Sequence, residues 1–326
     1  MSGKIKTDKP SAPNPNVRVS IDDLIGLRRR VEGLKLERGQ RSHSAITGVH
    51  RSRFRGRGMD YLESRHYQAG DDIRNMDWRV TARAGRPHVK LYEEERERPV
   101  VTLVDLGPSM YFGTRGAFKS VVAARLAALV GWTAIANHDR IGAVLFNGEH
   151  HELQPAGGRR SVLHLIRALA QAGEPASGLA RRAEAGALSK ALARLRRVAR
   201  PGSLLFLISD FYSADEESGR HLSQLRRHSD IVACQVADPL EVAPPPAGRY
   251  GVTDGNRAAV LDTRSQLVRS SYESRLARQR ATILGLTAER GIPLVRVSTE
   301  DDPVGRLAVG LDLLGRHRRG RLEVAA

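Results

Sequence analysis

Val100-Val101-Thr102-Leu103-Val104 is a short apolar run rich in β-branched residues, and it ends abruptly in Asp105-Leu106-Gly107-Pro108-Ser109. A second run, Leu204-Leu205-Phe206-Leu207-Ile208, ends in Ser209-Asp210. Runs of this length and composition, bounded by turn residues, read as buried strands. Two buried strands therefore finish in carboxylates. In an open α/β sheet the ligand crevice lies beyond the carboxyl ends of the strands, so Asp105 and Asp210 mark the first place to look for a site.

Working outward, Phe118, Val122, Leu126 and Leu129 recur at helical spacing after the Asp105 loop, with small alanines between them that allow close approach to a sheet. Strands follow at 140–146 and 151–154, separated by the tight-hairpin signal Asn147-Gly148, so one strand is antiparallel. Helices at 161–171, 188–198 and 216–227 alternate with the Leu204 strand and an apolar strand around Cys234. Beyond Pro244-Pro245-Pro246, the turn Thr253-Asp254-Gly255-Asn256 joins two short strands. A long helix then turns Tyr272, Leu276, Ile283 and Leu286 inward and ends at Gly291. A strand at 292–297 and a helix at 307–314 complete an alternation typical of a mostly parallel sheet covered on both faces.

The region before Pro99 differs. Residues 1–16 are Lys, Pro, Ser and Asn with little to bury, and are expected to form a disordered tail. Ser20 followed by Ile21-Asp22-Asp23-Leu24 reads as an N-cap opening a short helix that Arg28-Arg29-Arg30 continues. Phe54, Tyr61, Tyr67, Trp78 and Tyr92 cluster with several glycines, which suggests a turn-rich, β-rich region with a small core of its own. The expected organisation is a tail at 1–16, an N-terminal helix and β-rich region at 17–98, an α/β domain at 99–315 and a basic tail at 316–326.

The formal net charge of +17 is carried mainly by arginine scattered along 326 residues. Such a field attracts nucleic acid or acidic partners, and an Arg-heavy, Lys-poor composition also arises from coding bias alone. The single Cys234 excludes an internal disulfide and suits a reducing compartment. No stretch has the roughly 18 consecutive apolar residues of a spanning helix, and the expected location is the cytoplasm. Enzyme signatures mostly fail. Gly113-Thr114-Arg115-Gly116-Ala117-Phe118-Lys119-Ser120 ends like a phosphate-binding loop, but Phe118 stands where a glycine is required. A haloacid-dehalogenase-type phosphotransferase would need an acid at position 107, which is Gly107. No H-E-x-x-H, C-x-x-C or G-x-S-x-G occurs.

The spacing of Asp105, Gly107 and Ser109 resembles the D-x-S-x-S metal loop of von Willebrand factor A domains. In those domains hydroxyls and carboxylates from three loops hold a divalent ion, and a partner's acid completes its shell. Mg²⁺ suits such a set, being a hard ion that takes about six oxygens. The resemblance implies Asp105 and Ser109 in the first loop and Asp210 in the third as metal ligands. Gly107 replaces the middle hydroxyl, and the expected second loop, Gly157-Gly158-Arg159-Arg160-Ser161, offers an arginine in place of a threonine. Arg159 could neutralise the two acids as a metal would. Both a Mg²⁺ site and a metal-free ion-pair cluster stay open.

A longer stretch, Arg65-His66-Tyr67-Gln68-Ala69-Gly70-Asp71-Asp72-Ile73-Arg74-Asn75-Met76-Asp77-Trp78 with Ala82-Arg83, resembles the R-x-Y-x-x-G-D-D-x-R-x-I-D-W…A-R block of the domain of unknown function 58 family. Glu93 to Glu97, Phe112-Gly113-Thr114, Lys119, Asp139-Arg140-Ile141-Gly142, Asp238-Pro239-Leu240-Glu241 and Asp254-Gly255 are similar to its later landmarks. In the block, Asp71, Asp72 and Asp77 interleave with Arg74, Arg79 and Arg83, and the expected role is a structural network packed around Tyr67 and Trp78, with partner docking kept open.

The resemblance implies an α/β fold of von Willebrand factor A type: a doubly wound, mostly parallel sheet with one antiparallel strand, preceded by the small β-rich region. It implies a non-enzymatic adaptor that works with a MoxR-type AAA+ ATPase and its client, binding through Asp105, Ser109, Arg159 and Asp210. The alternatives are a nucleic-acid-binding protein using the arginines and, behind it, a metal-dependent hydrolase.

Overall fold

The computed structural model describes residues 14–34, 36, 59–94, 97–148, 150–253 and 258–318. The chain divides into two compact units, one made of residues 1–39 with 98–326 and one of residues 40–97. In chain order the elements are α1 (Ile21–Gly26), β1 (Met59–His66), α2 (Trp78–Ala84), β2 (His88–Glu94), β3 (Pro99–Asp105), α3 (Lys119–Ala136), β4 (Arg140–Phe146), β5 (His150–Ala156), α4 (Arg159–Ala172) and α5 (Pro175–Ala180). There follow α6 (Ala187–Val198), β6 (Leu204–Ser209), α7 (Glu216–Arg226), β7 (Asp230–Ala237), β8 (Arg249–Thr253), β9 (Ala258–Asp262), α8 (Gln266–Thr287), β10 (Leu294–Ser298) and α9 (Pro303–Arg318).

The larger unit is built on a six-stranded sheet of order β10-β7-β6-β3-β4-β5. Its strands are parallel except β5, which returns antiparallel from β4 through the Asn147-Gly148 turn. Gly148 sits at φ 97, a backbone geometry that a side chain would strain. Residues on alternate sides of each strand feed two separate cores. Val100 and Val104 with Leu204, Phe206 and Ile208 face the layer of α3 and α4, whereas Val101 and Leu103 with Leu205 and Leu207 face α6, α7 and α8. The doubly wound α/β sheet with one antiparallel strand is the fold class expected from the sequence.

Chain direction in this sheet fixes where a site can form. From β3 the chain moves through α3 to β4 on one side, and from β6 through α7 to β7 on the other. The β3/β6 boundary is thus the topological switch point, where a crevice opens beyond the strand ends. Val104 pairs with Ile208, so Asp105 and Ser209 end adjacent strands side by side.

Helix α3 is buried almost all round, with its alanines against the sheet and Trp132 toward α1. By length and composition it is long and apolar enough to cross a membrane, and 83% of it is buried inside the protein. The N-terminal helix belongs with this unit. Ser20 caps it through the Asp23 amide as expected, the Trp132 Nε1–H donates to the Leu24 carbonyl at 3.0 Å, and Arg125 meets Asp23 at 2.8 Å. That corrects the expected grouping of residues 17–98, because Leu24 and Leu27 are apolar positions that only the α/β unit covers.

Two other boundaries shift. The Phe118 amide donates to the Asn16 carbonyl at 2.8 Å, so the chain is held from residue 14 onward and only residues 1–13 of the expected tail lie outside the described residues. At the other end α9 runs to Arg318, with Arg316 paired to Asp312 at 3.0 Å, and the remainder of the expected basic tail lies outside the described residues.

The smaller unit pairs β1 with β2 antiparallel and adds α2, so it is not purely β. Its acids act as caps. Asp72 accepts from the Arg74 amide at 3.0 Å, and Asp77 accepts from the Val80 amide at 3.2 Å and from the Ser64 hydroxyl at 2.8 Å. Asp71 accepts from the Gln68 amide and from Arg65. Arg74, Arg79 and Arg83 are exposed, and among the described residues the three acids are met by nearby amides, Ser64 and Arg65. Trp78 is 67% exposed and Tyr67 half-buried, which corrects the expectation that both fill a core. Helix α2 turns Thr81 toward β2, its hydroxyl accepting from the His88 amide at 3.0 Å, and leaves Trp78 outside that contact. The side chains of Phe54, Tyr61 and Tyr92 lie outside the described residues.

Candidate strand-end site

Beyond β3, the Asp105 carboxylate is 3% exposed and fully engaged: Oδ2 accepts from the Ser209 hydroxyl at 2.6 Å and Oδ1 from the Gly107 amide at 2.9 Å. A Cβ at position 107 would lie 3.0 Å from Oδ1, so glycine in the middle position follows from where the carboxylate points. Burial, and next the charge of Asp210, push the Asp105 carboxyl up to about 7.

Beyond β6 the chain turns sharply. Phe211 takes φ 59, a left-handed geometry rare for a bulky residue. Its amide donates to Ser209 Oγ at 2.9 Å and the Tyr212 amide to Asp210 Oδ1 at 3.0 Å. This turn aims the other Asp210 oxygen at Lys119, whose Nζ lies 2.8 Å away. Lys119, the first residue of α3, is completely buried, and its Nζ also donates to Glu241 Oε1 at 2.6 Å. The Tyr212 ring lies over the ammonium, 5.3 Å from centroid to nitrogen. Burial would push this ammonium down, but Asp210 and Glu241 outweigh it and hold Lys119 above the ordinary lysine range.

A second carboxylate ties the neighbouring loops together. Asp238 accepts from the Thr114 amide and hydroxyl, both at 2.7 Å, and from the Thr299 hydroxyl at 3.1 Å. Its own amide donates to Glu241 Oε2 at 2.9 Å, completing a capping box around Pro239–Glu241. Gly116 passes so close to this junction that a Cβ there would sit 2.3 Å from the Thr299 carbonyl oxygen. The segments 112–119 and 238–241, far apart in sequence, therefore meet on one rim. On its other side Tyr111, pushed up to about 12 by burial, packs on Gly178 and donates from its hydroxyl to the Ala172 carbonyl at 3.4 Å.

The structure brings Asp105 and Asp210 together and leaves the other two expected site residues outside the cluster. Ser109 is exposed. Arg159 is at the opposite end of the sheet, because β5 runs antiparallel and delivers the 157–160 loop to the strands' N-terminal side. There Arg159 shares a cavity with Trp132, Ile135 and Asn137 at the far end of α3, whose 18 residues span roughly 27 Å. The loop that does reach the site from this part of the chain is 173–181, which the sequence did not point to; Ser209, Lys119 and Glu241 stood out in the sequence as a strand end and as family landmarks, without a place in the site. The carboxylates do not fit a divalent ion: each oxygen of Asp105 holds a donor of the protein, an ammonium sits on Asp210 and Glu241, and the described residues hold no group of three or more His, Cys, Asp or Glu placed to bind a metal.

A family model described as "Protein of unknown function DUF58" matches residues 63–282. The chain belongs to the DUF58 family. Uncharacterized protein Rv1480 of Mycobacterium tuberculosis and Uncharacterized protein Mb1516 of Mycobacterium bovis are each 30% identical over 312 residues, spanning 95% of both chains. Among solved structures, conserved hypothetical protein BatB from Bacteroides thetaiotaomicron is 12% identical, covering 68% of this DUF58 chain and 99% of its own, with a TM-score of 0.41. A von Willebrand factor type A protein from Catenulispora acidiphila is 11% identical, covering 70% of this chain and 44% of its own, with a TM-score of 0.37.

Proposed function

We propose that this DUF58 protein is a non-catalytic adaptor that docks a partner on the rim surrounding the C-terminal ends of its strands. The observation that carries the reading is a contrast on that rim. The carboxylates beneath it are closed off by the protein's own donors, while Phe112, Leu179, Val242 and Leu267, all on segments at this end of the sheet, are exposed, Leu267 at 77%. Exposed apolar groups on segments beside polar, hydrogen-bonded loops are compatible in composition with a protein-binding surface. On this reading the partner is a MoxR-type AAA+ ATPase with its client, and the protein works in the cytoplasm; the family resemblance is what supports both. Asp105 and Asp210 act from below by holding the loops in place. The expected result is that a tagged full-length chain retains a AAA+ ATPase from lysate in the presence of nucleotide, and that Phe112→Asp and Leu267→Asp release it without lowering the melting temperature. Undiminished retention by both variants would overturn the docking face.

One observation favours a second reading, nucleic-acid binding. At the opposite end of the sheet a cavity of about 450 Å³ is lined by Arg196, Arg200, Arg227 and His228, and its lining includes no acid. On this reading affinity for duplex DNA falls with salt at a log–log slope near −0.9 per neutralised phosphate. Absence of salt-sensitive binding removes it.

A further inference from the structure

We propose that the Lys119 ammonium stands where a divalent cation would otherwise sit, so that the strand-end cluster is a closed site carrying its own positive charge and takes up a metal ion only when Lys119 is removed. The argument begins with an oddity of placement. Helix N-termini carry partial positive charge and favour acids, yet Lys119 opens α3 with no acid in the first turn and an almost wholly buried body behind it. A lysine in that position is tolerable only if carboxylates from elsewhere meet it. Two do, from two different loops: Asp210 beyond β6 at 2.8 Å and Glu241 beyond β7 at 2.6 Å.

The remaining parts of the cluster behave as the surroundings of one cation. Tyr212 closes the outer side with its ring face, and the Asp210 oxygen that Lys119 leaves free is taken by the Tyr212 amide. The Glu241 oxygen that Lys119 leaves free is taken by the Asp238 amide. Asp105, the neighbouring acid, is turned onto Ser209 and Gly107. An ammonium provides three donors and a single charge, and in this site it joins loops that a bound ion would join. The inference concerns the cluster's internal charge alone and stands independently of whether the rim docks a partner.

The test uses the full-length chain and Mn²⁺ alone as the probe, since its paramagnetic signal reports free ion directly and Mg²⁺ can be competed against it. For the natural sequence the expected result is that all Mn²⁺ stays free at millimolar concentration and that EDTA leaves the melting temperature unchanged. In Lys119→Ala, Asp210 and Glu241 are exposed to the vacated space, and Mn²⁺ is expected to bind and to raise the melting temperature in a concentration-dependent manner. If Lys119→Ala is unfolded in EDTA, recovery of near-ultraviolet circular dichroism on adding Mn²⁺ is the same positive result. Stoichiometric binding by the natural sequence that Asp210→Asn abolishes would overturn the proposal. So would a Lys119→Ala chain that neither binds Mn²⁺ nor is stabilised or refolded by it.

Discussion

The two units handle their acids in opposite ways. In residues 64–81 of the smaller unit, Asp71, Asp72 and Asp77 accept from backbone amides two or three residues away, and each bond forms as soon as the local turn does. At the strand ends of the larger unit, Asp210 is met by Lys119 from 91 positions earlier, and Lys119 by Glu241 from 122 positions later. Local capping sets the shape of one segment. Long-range pairing joins three loops into one rim, and it only forms when the sheet does.

The largest expected effect comes from breaking the long-range side. Lys119→Met keeps the length and apolar stem of the side chain but leaves Asp210 and Glu241 facing each other, and loss of one partner of a buried pair costs about 3–5 kcal/mol. Denaturant unfolding followed by tryptophan fluorescence measures it, since Trp132 lies on the same helix. Adding Asp210→Asn to Lys119→Met is expected to recover part of the loss. If the double variant is as unstable as the sum of the single ones, the pair is not coupled.

Asp105 gives the next effect, and it depends on pH. Its carboxyl is raised from 3.8 to about 7 by burial and by Asp210, so the folded protein holds a proton that the unfolded chain releases. The associated stability is complete below about pH 4 and is lost as pH rises through 7. Asn at 105 preserves both contacts, its oxygen accepting from Gly107 and its amide donating to Ser209, and carries no titrating group. Stability measured against pH is therefore expected to fall for the natural sequence between pH 4 and 7 and to be flatter for Asp105→Asn. Parallel profiles would show that Asp105 is ionised throughout.

The same contrast explains what could be read in advance. The strands ending in Asp105 and Asp210, the Asn147-Gly148 hairpin, the Ser20 cap and Gly291, which closes α8 and its 3-10 extension at φ 58, all rest on neighbours within a few residues. These were legible because turn chemistry and side-chain period are local properties. The expectation that Arg159 would serve the site failed because it needed the direction of β5 carried through to the next loop: one antiparallel strand moves that loop to the other end of the sheet. Lys119 was visible as the end of an unconvincing phosphate loop and as a family landmark, neither of which gives it a role. Its real signal was a physical conflict, a cation at the start of a helix too apolar to offer it solvent. Trp78 misled for the converse reason, since an aromatic side chain does not itself fix which face of a helix is covered.

The smallest effects are expected on the local side, where they measure how independent the caps are. Asp77→Ala removes the acceptor for the Val80 amide and the Ser64 hydroxyl, so hydrogen exchange at Val80 should quicken severalfold while the α/β sheet amides stay protected. Arg65→Ala should do less still. Arg65 and Asp71 lie 2.7 Å apart and are both partly exposed, so solvent screening takes much of their attraction. Asp71 also retains the Gln68 amide, which is the larger reason its carboxyl lies below the usual range. Removing the guanidinium should therefore leave the turn intact and the melting temperature unchanged. A loss approaching that of Lys119→Met would mean that Arg65 reaches beyond its own turn, and the division between locally and distantly satisfied acids would no longer describe this protein.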